Sequence, residues 1–226
     1  MEKSYLEILK QVKLFDSITE QELGPMLDCL GSKIKIFQKG DYILSAGDEV
    51  NSIGIVISGQ VEIVKEDIMG RRTLISSLGQ TDIFGEAMAC AGIKKSPTSV
   101  LAGSRTAICF TDYSRVVTSC TSSCGFHSLL IQNMLKLMAH KNLFLNKKLD
   151  YLSLKSMREK LSSYLLDQYS LQRNTSFSIP LNREGLADYL AVDRSAMSRE
   201  LGRMRDEGLI SFERNHFQLL YPEGLI

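Results

Sequence analysis

The chain has 226 residues, of which 44% are hydrophobic and 23% are charged, and its formal net charge is +1. This length leaves room for about two domains, and the near-neutral balance excludes binding to nucleic acid through bulk charge alone. The apolar runs fall short of the roughly 18 to 20 residues of a membrane span, and the charged start MEKSYLEILKQ is unlike a signal peptide. The composition predicts a cytoplasmic protein with no membrane partner.

The first 30 residues predict two helices. Apolar residues at helical spacing run through the first helix, and Thr19, followed by EQEL, opens the second. From Ile34 to Phe110 the pattern changes to short apolar runs with glycines between them, as in QKGD, SAGDE, ISGQVEI and SSLGQTDIFGE. Such spacing predicts an antiparallel barrel or roll. The apolar stripe of the first helix consists of Tyr5, Leu6, Leu9, Val12 and Leu14.

The five cysteines are an odd number, which argues against a disulfide framework in a cytoplasmic chain. Cys120 and Cys124 form a CxxxC pair with His127 three residues further on, a spacing that could bind a metal ion or sense oxidants. No fourth ligand stands nearby, and burial of small residues explains the cysteines equally well. The sequence therefore predicts no metal site and leaves a redox role for this pair open.

A long helix is predicted from about Ser123, and it contains a heptad seam over three repeats. Asn142 occupies an a position of this seam, where an amide favours a parallel two-stranded register because its symmetry mate satisfies it best. A single helix buried inside one domain is the alternative, but the length and the regular spacing favour a homodimer. The seam consists of Ile131, Leu135, Met138, Asn142, Leu145, Leu149 and Leu152. A second stripe, predicted to pack on the β domain, consists of Leu130, Met134 and Leu137.

Another helix is predicted from Ser153 to Ser170, with a hinge near Tyr151 to Ser153 and a polar connector, QRNTSFSIP, after it. Two short helices joined by a tight turn follow in NREGLADYLAVDRSAMSRELGRMRDEG. Asn182 caps the first of them and Asp193 caps the second, which begins at Arg194. EGLI, SFERN and HFQLLY then predict a helix end at Gly208 and two strands around an Arg214-Asn215 turn, as in a winged helix-turn-helix.

The second of these helices has two faces. Met197, Leu201 and Met204 are predicted to pack inward, while arginines and serines form a surface that could contact DNA bases and phosphates. A solvated surface helix is the alternative, but the winged extension favours DNA binding. From Tyr151 onward ten basic residues stand against ten acidic ones, so the arginines must be segregated on one face and binding must depend on salt. The predicted DNA-contacting residues are Arg183, Arg194, Ser195, Ser198, Arg199 and Arg203.

The order of β-roll, long helix and winged helix-turn-helix resembles the catabolite activator and fumarate-nitrate regulator (CRP/FNR) family of bacterial transcription regulators. The likeness covers nearly the whole chain and includes the glycine motifs and MREKLSSYLL followed by NREGLADYLAVDRSAMSREL. It implies an α+β fold: a cyclic-nucleotide-binding-like antiparallel β-roll with N-terminal helices in residues 1–122, a dimerisation helix with a hinge in 123–152, and a winged helix-turn-helix in 153–226.

The resemblance also implies what the second helix of the pair does. The helix that begins at Arg194 would enter the major groove of double-stranded DNA, and Arg199 matches the arginine that reads guanine. A glutamate frequent early in this helix corresponds to Ser195, so the half-site is expected to differ from those of familiar relatives. A two-fold dimer would read a palindrome, and RNA polymerase would be a partner if the protein activates transcription.

The effector site resembles the family less. Members that bind cyclic nucleotides hold the phosphate between a Gly-Glu pair and an arginine followed by serine or threonine. Gly85-Glu86 is present, but the arginine position falls at Ser96 or Pro97. On the long helix, Leu145-Asn146 replaces the Thr-Ser pair that contacts adenine in the family. Cyclic AMP is therefore not expected. The cationic residues left near this position are Lys94 and Lys95.

Iron-sulfur and haem sensing are not expected either. No cysteine precedes Cys29, and none of His127, His140 and His216 falls in the β-roll. The cofactor is left unknown: a small organic or apolar effector, a thiol response and the absence of any effector all remain open. The candidate effector pocket consists of Gly85, Glu86, Met88, Met134 and Met138, although such methionines are more often core residues.

Two other functions are weaker predictions. A nucleotide-binding regulatory module that acts on a partner protein would need a complete phosphate cassette and no DNA-binding element, and this sequence has the reverse of both. An enzyme would need a nucleophile elbow, a P-loop, a metal-ligand run or paired carboxylates, and no such motif occurs. The sequence therefore predicts a regulator and not an enzyme.

Overall fold

The structure is a computed structural model that describes residues 3–67, 69, 71–118 and 125–225. The Cys120–Cys124 pair and the predicted start of the long helix at Ser123 lie outside the described residues. The chain forms two compact units, Met1–Ala139 and His140–Ile226, which meet within one long helix. The predicted bounds 1–122, 123–152 and 153–226 place the division differently and stay predictions.

Eight described strands of the N-terminal unit form two four-stranded antiparallel sheets. The first sheet has the order β1-β8-β3-β6 and the second has the order β2-β7-β4-β5. The strands are β1 (Lys33–Phe37), β2 (Tyr42–Leu44), β3 (Ser52–Ser58), β4 (Val61–Glu66), β5 (Arg72–Leu78), β6 (Ile83–Phe84), β7 (Ser99–Ala102) and β8 (Thr106–Asp112). The predicted antiparallel roll between Ile34 and Phe110 is confirmed.

The first sheet separates two hydrophobic cores. On β3, Ile53, Ile55 and Ile57 face a core formed with helices, whereas Val56 faces a core between the two sheets. Alternation of side chains along a strand produces this division, because successive Cβ atoms point to opposite faces. Because both faces of β3 are buried, polar and apolar residues do not alternate along it. The segment IGIVI of this strand therefore has only apolar residues and glycine.

Helices cover the outer face of the first sheet. They include α1 (Lys3–Leu9), a 3-10 turn (Lys13–Phe15), α2 (Glu20–Cys29) and the first turns of α5 (Phe126–Ser153). Leu130 and Met134 are buried in this core and Leu137 packs against it, which confirms the second stripe of the long helix. The buried amide of Asn133 donates to the carbonyl oxygens of Leu14 and Asp16, at 3.1 and 2.8 Å, and ties α5 to the N-terminal segment. Two short helices, α3 (Glu86–Cys90) and α4 (Tyr113–Val117), complete the described elements of this unit.

The glycine motifs turn the chain as predicted. Gly40, Gly47, Gly59 and Gly85 all have a φ between +82° and +93°, a region that favours glycine because a Cβ atom collides with the backbone there. Gly79 does not, and Thr81, with a φ of 72°, makes the corresponding turn before β6. Four of the five glycines in these motifs are therefore required by the backbone geometry of the roll.

The C-terminal unit combines helices with a three-stranded sheet of order β10-β11-β9. The polar connector QRNTSFSIP contains a strand that its sequence did not predict, since Ser176–Ser178 form β9 and pair with β11. A segment of three residues is too short to show the alternation typical of a strand. Pairing with β11 therefore determines that this segment is a strand. The elements are α6 (Met157–Gln172), β9 (Ser176–Ser178), α7 (Arg183–Leu190), α8 (Arg194–Asp206), β10 (Ile210–Glu213), β11 (His216–Leu219) and a 3-10 turn (Pro222–Leu225).

The last turns of α5 belong to the core of this unit. Tyr151 is only 2% exposed, packs edge-on against Tyr164 and Tyr189, and donates a 2.7 Å hydrogen bond to Asp167. Lys147 forms a 2.7 Å ion pair with the same carboxylate. Burial, with a further contribution from Asp167, raises the pKa of the Tyr151 hydroxyl, so it remains a hydrogen-bond donor at neutral pH. The corner between α5 and α6, where a hinge was predicted, is thus anchored on α6 and α7.

Candidate nucleic-acid interface

Two side chains of the connecting segments begin the helices α7 and α8. The Asn182 side-chain oxygen accepts a 2.8 Å hydrogen bond from the Gly185 amide, and Asp193 accepts one of 2.7 Å from the Ala196 amide. Each bond satisfies an amide that a helix leaves without a partner in its first turn. Between the helices, Ala191 has a φ of 50°, which turns the chain, and Val192 packs against the core. Both predicted caps and both helix starts are confirmed.

The two faces of α8 separate as predicted. Met197, Leu201 and Met204 are fully buried in the core of the C-terminal unit. The opposite face is exposed and consists mainly of cationic and hydroxyl side chains, the groups that contact phosphates and base edges. The exposed residues of this set are Arg194, Ser195, Ser198, Arg199 and Arg203. We call these five exposed residues of α8 the reader face. Arg183, which was also predicted to contact DNA, lies in α7 and is described below.

Two arginines of the reader face are available to a ligand. The side chains of Arg194 and Arg199 make no hydrogen bond or ion pair with any residue that the structure describes. Arg203 instead forms a 3.2 Å ion pair with Glu200, and the Ser198 hydroxyl donates at 2.9 Å to the carbonyl oxygen of Arg194. Arg199 and Arg194 are therefore the cations of α8 that can bind a new partner without first breaking an internal contact.

Two acidic side chains, Glu200 of α8 and Glu207 just after it, pair with a cation of another helix. Arg158 of α6 forms ion pairs with Glu200, at 3.5 Å, and with Glu207. The hydrogen bond to Arg158 holds the pKa of Glu207 below its usual value, and the Glu200 side chain is only 14% exposed. This pairing offsets part of the acidic charge near α8, whereas Asp206, seven residues after Arg199, is exposed and pairs with Arg205. Arg158 and Glu200 lie 42 positions apart, too far for any local sequence pattern to pair them.

Arg183 is placed differently from its prediction as a DNA contact. Its guanidinium lies over the rings of Phe212 and Phe217, with centroid distances of 4.7 and 4.9 Å. One of its terminal nitrogens is buried without a hydrogen-bond partner, and burial lowers the pKa of the group. Since Phe212 is in β10 and Phe217 is in β11, Arg183 fastens the start of α7 to the wing. Stacking on two aromatic rings explains the location of the Arg183 side chain better than a contact with a DNA phosphate does.

We expect Arg183→Met to lower stability without changing the salt dependence of DNA binding. Cation–π contacts contribute about 0.5 to 2 kcal/mol, so the free energy of unfolding of the C-terminal unit should fall by about this amount. A phosphate contact would instead change the slope of log affinity against log salt by about 0.9. Urea unfolding and binding titrations over a salt series measure the two effects. A smaller slope with unchanged stability would restore the original prediction.

The wing follows α8 as predicted. β10 and β11 pair antiparallel, and Arg214, with a φ of 53°, makes the turn between them. His216 is held at both ring nitrogens, each 3.0 Å from a serine hydroxyl of β9, in Ser176 and Ser178. These contacts join the third strand to the wing and fix its position beside the helix pair.

The candidate effector site is only partly assembled. Gly85 and Glu86 begin α3, with Glu86 4% exposed, and Met88 lies beside Ser96, whose hydroxyl is 3.6 Å from the Met88 sulfur. Ser96 is 3% exposed and its hydroxyl also donates at 2.6 Å to the carbonyl oxygen of Thr98. The position expected to hold a phosphate-binding arginine therefore carries a short side chain that is already hydrogen-bonded. Lys94 and Lys95 are exposed.

The methionines of the long helix are not equivalent. Met134 is buried in the core with residues of α1, α2 and β3, so it is a core residue, which was the alternative given for it. Met138 is half-buried. Cys109 lies in the same core as Met134, and burial raises the pKa of its thiol to about 11, so that it is not a thiolate at neutral pH. Cys90 is exposed.

Within the described ranges, none of the helices combines the length and the hydropathy needed to cross a membrane. The described elements form two small domains, and each domain matches the model of a known protein family.

The family model of the cyclic nucleotide-binding domain matches residues 34–121, and that of the Crp-like helix-turn-helix domain matches residues 159–226. A probable transcriptional regulator, flp, of Lacticaseibacillus casei is 26% identical over 221 residues, which cover 95% of this chain and 94% of that protein. The human cGMP-dependent protein kinase 2 is 29% identical over 86 residues, 38% of this chain. The chain spans only 11% of the length of that kinase.

Among solved structures, the catabolite activator protein of Thermus thermophilus has the same fold. The TM-score is 0.53 at 20% identity, and the match covers 94% of this chain and 96% of that one. The two matched domains together cover more than half of the chain, in the order cyclic nucleotide-binding domain and then helix-turn-helix. The chain belongs to the CRP/FNR family of transcription regulators, with α7 and α8 inside the matched Crp-like helix-turn-helix domain.

Proposed function

We propose that the protein is a cytoplasmic homodimeric regulator that binds a palindromic DNA site through α8 of each protomer. The observation that carries the proposal is the reader face: the side chains of Arg194 and Arg199 make no hydrogen bond or ion pair within the described part of the chain, while Glu200 and Glu207 are paired with Arg158. A planar guanidinium can bond O6 and N7 of guanine together, so Arg199 supplies sequence preference and Arg194 supplies charge. An RNA polymerase contact follows only if the protein activates transcription.

The long helix supplies a surface for a second copy. Leu135, Leu145 and Leu149 of the seam are 57 to 65% exposed in the single chain, an arrangement that costs free energy unless a partner covers it. Asn142 accepts a 2.9 Å hydrogen bond from Asn146 through its side-chain oxygen. Its amide nitrogen is thereby oriented for donation to another acceptor, such as the same residue of a partner helix. A second copy of the chain is the occupant we propose, because the spacing is that of a coiled coil.

We propose that the protein is controlled by a small effector that is not a cyclic nucleotide. A buried phosphodiester needs a cation and free donors, and the hydroxyl at the corresponding place, that of Ser96, is already bonded to Thr98. Isothermal titration of the purified protein with cyclic AMP and with cyclic GMP should give no binding heat. Micromolar binding of either nucleotide would contradict this part of the proposal.

The main test uses the unmodified protein. Sites are selected from a random duplex pool and the enriched sequence is inspected for two-fold symmetry with half-sites about one helical turn apart. Sedimentation gives the oligomeric state at the same concentrations. Enrichment of a palindrome by a dimer supports the proposal. No enrichment, together with nucleotide binding and capture of a partner protein, would favour the alternative of a nucleotide-binding regulatory module.

A further inference from the structure

Gly202 lies in the middle of α8, and the described structure gives no reason for a glycine there. Its φ is not positive, and a Cβ atom built on it would meet nothing within 4 Å. A glycine inside a helix is unfavourable because the unfolded chain gains more conformational freedom at glycine than at any other residue. Alanine at this position would therefore make the protein without a ligand more stable.

Two other glycines lie inside α-helices of the described residues. Gly24 in α2 precedes Pro25, and a residue before proline avoids the helical region because of a clash that involves its Cβ atom. Gly185 in α7 lies beside its cap, where an added Cβ would be in ordinary van der Waals contact, 3.4 Å from the side-chain oxygen of Asn182. Gly202 differs from both, because it neither precedes a proline nor has a neighbour that an added Cβ would touch.

Helical geometry places Gly202 on the reader face. It follows Ser198 by four residues and Arg199 by three, so the three positions lie on one side of α8. Gly202 also lies eight residues after Arg194, about 12 Å further along the helix axis. Recognition helices contact bases with their first turns, so a position two turns later lies where the helix passes the edge of the groove. The major groove is about 12 Å wide and a helix with side chains is 10 to 12 Å across, which leaves no slack at that edge.

We infer that Gly202 is a contact position at which the sugar-phosphate backbone of duplex DNA approaches α8 too closely for a side chain. The absent Cβ lets the sugar-phosphate backbone lie directly against the helix at this position. The ligand at this position is the backbone and not a base, so Gly202 raises affinity for all duplexes and adds no sequence preference of its own. This inference rests on the proposed function, since it requires that α8 bind duplex DNA.

The test compares Gly202→Ala with the unmodified protein in stability and in binding. The thermal midpoint of the C-terminal unit should rise by about 4 °C, because alanine is the better helix residue and meets no neighbour. Affinity should fall by about tenfold or more both for the selected palindrome and for a scrambled duplex, with the ratio of the two affinities unchanged within about twofold. Gly185→Ala is the matched control in the same unit: its Cβ would make only ordinary van der Waals contacts, so its midpoint should rise for the same reason while its DNA affinity stays unchanged.

Each other outcome overturns the inference. Unchanged or tighter DNA binding by Gly202→Ala would show that nothing approaches the helix there. A lower thermal midpoint would show that the glycine serves the fold, and a loss confined to the palindrome would assign the position to a base contact. The unmodified protein is measured alongside. If it fails to bind any duplex selectively, the proposed function fails, whereas selective binding together with an unaffected variant refutes only the role of Gly202.

Discussion

Arg199→Ala should abolish the preference for the cognate palindrome while weak, salt-sensitive binding to any duplex remains. One bidentate arginine–guanine contact contributes about 1 to 3 kcal/mol of discrimination, and a dimer makes two such contacts, so selectivity should fall by about tenfold at the least. The fold should not change, since the Arg199 side chain is exposed and makes no hydrogen bond or ion pair with another described residue. Competition between labelled cognate duplex and unlabelled scrambled duplex measures the ratio directly.

Two further variants separate charge from geometry at this position. Arg199→Lys keeps the charge but not the planar fork, so it should lose selectivity almost as fully while retaining the salt dependence. Arg205→Ala removes an arginine in the last turn of the same helix, eleven residues after Arg194, which pairs with Asp206 and lies near the ring of Phe212. It should leave selectivity intact. Unchanged selectivity in Arg199→Ala would refute the assignment of Arg199 as the base-reading residue.

The second large effect is expected in the seam of the long helix. The double substitution Leu145→Glu with Leu149→Glu should convert the dimer into a monomer, because four carboxylates would meet along an apolar interface. Loss of the second binding site should reduce affinity for the palindrome by about a hundredfold or more, since linked sites gain that much from effective concentration. Sedimentation velocity and binding to full and half palindromes measure the two effects.

The controls for the seam come from the same protein. Leu171 is 77% exposed at the end of α6, outside the seam, and Leu171→Glu should leave the dimer and its DNA affinity unchanged. Asn142→Leu should leave a dimer that is more stable and less fixed in register, because the amide that selects the parallel pairing is gone. A monomeric unmodified protein, or a dimeric double variant, would refute the seam.

Sequence patterns predicted the elements of the DNA-binding unit closely. The caps Asn182 and Asp193 each bond to an amide three residues away, and Met197, Leu201 and Met204 follow the period of one helix. The strands of the roll were equally readable, since alternation and turn glycines are short-range features. The exposure of the reader face followed from the same periodicity, whereas the DNA contacts of its residues remain proposals.

Prediction was less successful where a side chain's role depends on a distant partner. Arg183 was predicted to contact DNA, and Phe212 and Phe217, about 30 positions away, are the rings on which it stacks. Arg203 was also predicted to contact DNA, and the spacing Glu200–Arg203 could have indicated its ion pair on one helix face. Met134 was assigned both to the core stripe and to the effector pocket, and burial decided for the core.

The sequence by itself determined the order of the domains, the two faces of α8 and the heptad spacing of α5. Each of these depends on residues within about one or two helical turns or strand periods, where backbone geometry alone decides what is adjacent. The tertiary structure decided which arginines are free, where the end of α5 is anchored and that β9 joins the wing. Those outcomes depend on pairs such as Arg158 with Glu200 and Tyr151 with Tyr189, which only the packing of separate elements brings into contact.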